Sequence, residues 1–257
     1  MLDKFLFDEA MDDPENVKTM LDIVLSQNTN LKQSPQTEKE QRISTDNRQI
    51  RLDVYAIDED DVIYEVEAQK ENTHNLLKRS RLYQGIIDSK LLPPGVVDFN
   101  LLNEVLIVMI TPFDLFGYGL YRYTFQMRCE EVPELKLDDG ATRIFLNTRG
   151  KHPELVSSEL IELLKYMEHS TDEVSEACES KRIQEMHRRV CRIIASEKTE
   201  VKYMQAWEEK LLERQKEKRE LLRKMNHKMS IEKIADVLDM DVSEVKHIIE
   251  EQYDTED

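Results

Sequence analysis

Asp53, Glu67 and Gln69 are the residues whose types and spacing could do chemistry together. They lie in two runs with strand character, 50–57 and 62–69, rich in β-branched and aromatic residues and separated by Asp58-Glu59-Asp60-Asp61. Strand residues two apart share a face. Glu65, Glu67 and Gln69 therefore share one face, and Val62, Tyr64, Val66 and Ala68 the other. In the first run Leu52, Val54 and Ala56 alternate with Arg51, Asp53 and Tyr55. A hairpin turning through 59–61 sets Asp58 against Val62 and Asp53 against Glu67. Opposed residues have Cβ atoms roughly 4.5–5.5 Å apart, and like charges there destabilise the pair. Two such carboxylates call for a cation or a proton, and a hard divalent ion with oxygen ligands is the natural occupant. Beside a phosphodiester that ion would polarise the phosphate, acidify a bound water and align the attack. Gln69 could orient water or phosphate through its amide, but it can neither act as a base nor supply positive charge. Acidic residues also decorate exposed strand faces that bind nothing, so alternation alone leaves both readings open.

The strings Arg51-Leu52-Asp53-Val54-Tyr55, Tyr64-Glu65-Val66-Glu67-Ala68-Gln69 and Lys78-Arg79-Ser80-Arg81-Leu82-Tyr83-Gln84 resemble the PD-(D/E)XK nuclease-family transposases, a group that includes the recombination-promoting nucleases. Phe5-Leu6-Phe7-Asp8-Glu9 with Asp13-Pro14-Glu15 is similar to the same family. So are Phe113-Asp114-Leu115-Phe116-Gly117, Tyr123-Thr124-Phe125 and Ile144-Phe145-Leu146-Asn147-Thr148. The likeness keeps its order from about residue 3 to residue 170. It implies a restriction-endonuclease-like mixed sheet flanked by helices, with Asp53 and Glu67 as metal-binding carboxylates. Gln69 stands where the wider superfamily has a lysine. The implied activity is cleavage of DNA with Mg²⁺ (Mn²⁺ as a substitute), in recombination or mobile-element traffic. In that family the helix after the hairpin lies beside the active site, which makes Arg81, Tyr83 and Gln84 expected substrate contacts. Arg81 and Gln84 are three apart and can share a helix face, and Lys78, Arg79 and Arg81 make the clearest basic patch nearby.

Other candidates carry less. Alternation turns Lys70 away from the face of Gln69, so it does not replace the lysine. Glu9 and Glu38 are possible accessory carboxylates that no spacing singles out, and His74 reads as a surface residue. His152, His169, His187, His227 and His247 show no metal-ligand spacing. Cys129, Cys178 and Cys191 are odd in number and far apart, which suits neither a disulfide framework nor a zinc motif and points to a reducing cytoplasm.

The elements that must position these residues follow from pattern. Helical periodicity runs over 5–27, strongest after Asp12-Asp13-Pro14, a good helix start. Residues 28–47 read as loop or weak strand, 73–89 as a helix, and 105–110 as a wholly apolar strand buried on both faces. Further strands are expected at 121–128 and 142–146, and a helix at 154–168. From 171 to 224 there is no Gly or Pro and charge dominates, with an intermittent apolar stripe of Val174, Ala177, Met186, Val190, Ile193, Met204, Trp207 and Leu211. Ser230 and Ser243 are placed to cap two short helices of a helix-turn-helix-like end. The organisation expected is thus an α/β domain over 1–170, a charged helical arm over 171–225 and a small unit over 226–257, an all-α C-terminal extension suited to homo-oligomer contact. Asp236, Asp239, Asp241 and Glu244 around the last turn favour protein over base contact.

The net charge of −17 argues against coating nucleic acid nonspecifically. A local basic patch and bound divalent cations can still bring a DNA partner to such a chain. The same charge, with the missing lysine, favours the rival reading: a catalytically inactive nuclease-fold protein used as a binding or regulatory module. No run reaches the roughly 18 apolar residues of a membrane span, and the acidic start lacks the apolar stretch of a signal peptide.

Overall fold

The computed structural model describes residues 1–41 and 50–250. The expected helix over 5–27 is two, α1 (Lys4–Met11) and α2 (Pro14–Leu25), because Asp13 turns extended and its carboxylate accepts the Glu15 N–H at 2.9 Å. A meander follows: β1 (Gln36–Gln41), β2 (Ile50–Ile57) and β3 (Ile63–Ala68), each antiparallel to the one before. Of the stretch read as loop or weak strand, 36–41 is β1, and 42–47 lies outside the described residues. Helix α3 (Leu76–Asp88) crosses over to β4 (Val105–Thr111), which runs parallel to β3. Then come β5 (Arg122–Phe125) and β6 (Ala141–Asn147), followed by α4 (Ser158–Glu168), α5 (Asp172–Ala177) and α6 (Lys181–Ile194). The strands form one six-stranded mixed sheet in the order β1-β2-β3-β4-β6-β5.

The sheet is covered on both faces, which explains the apolar run of β4. Val108 and Ile110 join Val54, Val66 and Ile144 under α1, α2, α4 and α6, while Val105, Ile107 and Met109 join Tyr55, Ile63 and Phe145 under α3. The hairpin register is the one expected, Val54 against Val66 and Ile57 against Ile63, with the Asp58 N–H donating to the Val62 carbonyl at 3.1 Å. Asp58 holds the turn. Its carboxylate accepts the N–H groups of Asp60 and Val62 and, at 2.6 Å, the buried Tyr64 hydroxyl.

The expected alternation of β2 fails at one place. Leu52 packs with Tyr55 on the α3 side instead of with Val54 and Ala56. The break falls at Asp53, which is paired in neither ladder. Opposite it in β1, Glu38 takes a left-handed backbone (φ 49°) and also drops out of the pairing. An irregularity of this kind re-aims a side chain that plain alternation would fix.

Contacts divide the chain into compact units Met1–Ser196 and Glu197–Asp257. Residues 171–194, expected in the arm, instead belong to the first unit: Ile183, Met186 and Val190 of α6 are buried against α1 and α2, and the exposed charges Lys181, Arg182, Glu185, Arg188 and Arg192 lie on its outer face. The compositional change near residue 170 marks the loss of Gly and Pro, and the core continues past it. In the second unit, α7 (Glu197–Asn226), α8 (Ile231–Leu238) and α9 (Val242–Glu250) share a small core of Leu222, Ile234, Ala235 and Val245. Asp241, not Ser243, caps α9, its carboxylate accepting the Ser243 N–H at 2.8 Å. No described helix is long and apolar enough to cross a membrane.

Candidate functional site

Asp53 is buried (6% exposed) and its carboxylate is held by Lys4, whose ammonium lies 2.6 Å from Oδ1. The same ammonium lies 3.0 Å from Asp8, one turn along α1, and 3.9 Å from Glu38. Glu38 is therefore brought to the site, and Arg51 stands 3.4 Å from it. Burial works against the charge on Lys4, but Asp53 and Asp8 outweigh it and raise its pKa. Burial lifts the Asp8 carboxyl to about 7 in spite of Lys4, with Asp53 and Glu38 adding repulsion.

On the neighbouring strand Glu67 (5% exposed) forms an ion pair with Arg79 of α3. Arg79 also donates to Gln69 Oε1 at 2.7 Å, and its guanidinium carbon lies 5.8 Å from the centre of the Tyr83 ring. Glu67 and Gln69 thus face α3 together, as strand alternation requires. The inward face of α3 carries Leu76, Ser80, Tyr83, Gln84 and Ile87, with Arg79 at its margin. Arg81 is exposed and does not share a face with the buried Gln84, whose amide donates to Asp88 at 2.9 Å. Arg79, not Arg81, is the cation at the carboxylates, because it sits one helical turn before Tyr83.

Between these groups lies Glu65, fully buried, with neither carboxylate oxygen partnered. Desolvation drives its pKa well above the ordinary range, the charge on Asp53 adds to this, and Arg79 opposes it. Burial therefore favours the protonated, neutral form of Glu65 over its carboxylate. Glu67 Oε2 is also buried without a hydrogen-bond partner.

An oxygen-only donor set with an orphaned buried carboxylate oxygen fits a hard divalent cation and not a soft one. The next step of the β2–β3 register is Asp53 against Glu67, but the ladder ends at Val54–Val66. Among the described residues, Asp53, Glu65 and Glu67 do not gather three ligand atoms within 4.8 Å of one another. Asp53 and Glu67 are each turned toward a side-chain cation, so sharing an ion requires Asp53 to turn from Lys4 and Glu67 from Arg79.

Sequence reasoning missed Lys4 and treated Arg79 only as part of a surface patch. The available signals were the four-residue spacings Lys4–Asp8 and Arg79–Tyr83, each placing its pair on one helix face. No protein-family model, curated protein or solved structure matches this chain.

Proposed function

We propose that this protein is a metal-dependent DNA endonuclease with a restriction-endonuclease-like core of the PD-(D/E)XK kind, serving recombination or mobile-element traffic. The observation that carries the reading is the pair of buried carboxylates, Asp53 and Glu67, on the residues that flank the last β2–β3 pair, Val54–Val66, one of them with an unpartnered buried oxygen. The meander β1-β2-β3, the crossover α3 and the parallel β4 agree with the fold implied by the resemblance.

In this reading Asp53 and Glu67 hold Mg²⁺, with Mn²⁺ able to substitute. The ion supplies Lewis-acid stabilisation of the phosphate and an acidified water. Gln69 orients water or phosphate through its amide. Arg79, already beside Glu67 and Gln69, presents a guanidinium suited to a phosphate oxygen. Lys4 and Arg79 together provide the positive charge that Gln69 lacks. Tyr83 packs below Arg79 and Gln84 braces α3 through Asp88, so both support the site from within the helix.

Nicking of supercoiled plasmid in Mg²⁺ or Mn²⁺ tests the proposal, comparing the native chain with Asp53→Asn and Glu67→Gln. Cutting that requires metal and disappears in both variants is the expected result. Equal traces for all three proteins would remove the enzyme. A second reading, an inactive nuclease-fold protein that binds a protein or nucleic acid, is favoured by the Lys4–Asp53 and Arg79–Glu67 pairs, which neutralise the carboxylates without an ion. It predicts no metal-dependent cutting. Homo-oligomer contact through α7 fits the exposed Met204, Trp207 and Leu211, spaced to share a helix face; light scattering of Trp207→Glu against the native chain tests it.

A further inference from the structure

A second cluster lies in the first unit on α5 and α6, and shares no residue with the β2–β3 site. His187 and Cys191 are four residues apart on α6, and Asp172 opens α5 beside them. The imidazole Nε2 lies 2.8 Å from Asp172 Oδ1 and 3.5 Å from Cys191 Sγ. Among the described residues, this is the one group in which three His, Cys or acidic ligand atoms lie within 4.8 Å of one another.

We propose that Asp172, His187 and Cys191 form a binding site for a borderline-soft divalent ion, Zn²⁺ first, with an open fourth position. The chemistry of the donor set selects the metal: thiolate plus imidazole suits Zn²⁺ and disfavours Mg²⁺. The geometry agrees. Tetrahedral zinc with its usual bond lengths sets a nitrogen and a sulfur ligand about 3.6 Å apart, and the observed separation of Nε2 and Sγ is 3.5 Å. The oxygen must open from 2.8 Å to about 3.4 Å. The Asp172 side chain is 81% exposed and free to make that small move.

The other imidazole nitrogen supplies the outer contact such sites use. Nδ1 lies 3.1 Å from the hydroxyl of Tyr166, a fully buried residue whose ring meets His187 edge-on at 5.5 Å. A proton on Nδ1, donated to the tyrosine oxygen, leaves the Nε2 lone pair facing Asp172 and Cys191, the tautomer a metal requires. Without metal the Cys191 side chain carries its thiol proton, as a free cysteine does at neutral pH. Binding would release that proton to solvent and leave thiolate on the ion. The bound ion would clip α5 to α6 where residues 171–194 join the core.

The test uses the full chain stripped with chelator and titrated with Co²⁺, then Zn²⁺. One equivalent of Co²⁺ should produce a near-ultraviolet sulfur-to-cobalt band that Zn²⁺ displaces, and Zn²⁺ should raise the melting temperature. Cys191→Ser should lose the band, and Tyr166→Phe should weaken affinity by about tenfold. Asp172→Asn, at an exposed position that does not threaten folding, should weaken it as well. Asp53→Ala should keep the band, which separates this site from the proposed nuclease site. No band in the native chain, or an unchanged band in Cys191→Ser, would overturn the proposal; so would Zn²⁺ stabilisation that survives in both Cys191→Ser and Asp172→Asn.

Discussion

Lys4 and Arg79 approach the two carboxylates from different helices, and each makes a test at the scale of the single residue. Removing Arg79 leaves Glu67 buried without its counter-charge. Breaking a buried pair from one side costs about 3 kcal/mol, so Arg79→Ala should lower the urea midpoint accordingly, and Arg79→Ala/Glu67→Gln should recover most of the loss. If Arg79 also contacts phosphate, cleavage by Arg79→Lys should fall by about a hundredfold with the fold intact, because an ammonium does not reproduce the fork. Asp8 gives a pH signature. Its folded pKa of about 7 lies above the ordinary carboxyl value, so the folded state binds a proton that the unfolded chain has released. That contribution is whole in acid, below the ordinary value, and is lost as pH rises toward and through 7. Melting curves in chelator should therefore show Asp8→Asn flattening the decline of stability across that window. An unchanged slope would mean that Asp8 is ionised in the fold.

At the scale of the element, the β2–β3 hairpin depends on Asp58. Its carboxylate holds two turn N–H groups and the hydroxyl of Tyr64, a residue fully buried in the sheet. Asp58→Ala should destabilise the first unit by about 3 kcal/mol in denaturant titration. It should also weaken any metal-dependent activity by loosening the strand that carries Glu67. Tyr64→Phe in the native chain separates the hydroxyl from the turn: it should cost part of that loss, and no loss would mean that Asp58 serves only the turn. The break in alternation at Asp53 belongs to this scale too. It turns a residue that regular pairing would aim from the strand alone into one reached by α1, through a ladder interrupted opposite Glu38.

At the scale of the whole molecule, the first unit closes only with α6. Ile183, Met186 and Val190 are buried in the same core as Phe7, Met20 and Leu163, and Arg189 donates to the Asn16 side chain at 2.7 Å. A chain ending after Ser196 should unfold cooperatively with its near-ultraviolet circular dichroism intact. One ending after Ser170 should expose the α1–α2 surface, bind hydrophobic dye and lose that signal. Equal behaviour of the two fragments would show that α6 is an appendage.

What the amino-acid order determined by itself was local. The apolar run of β4, the Asp13-Pro14 helix start, both hairpin strands and their register were legible because periodic burial and turn chemistry act over a few residues. That register set Asp53 against Glu67, and the family resemblance singled them out, with Gln69, as candidates. Tertiary structure alone decided which charges meet them. Lys4 lies 49 residues from Asp53, and no period connects such distant positions. It likewise selected Arg79 over Arg81 through the rotation of α3 on the sheet, kept α6 in the core despite its charge, and brought Asp172 to the His187–Cys191 face of a different helix. Periodicity reports which side of an element is buried; ion pairing and ligation depend on what the rest of the chain places against that side.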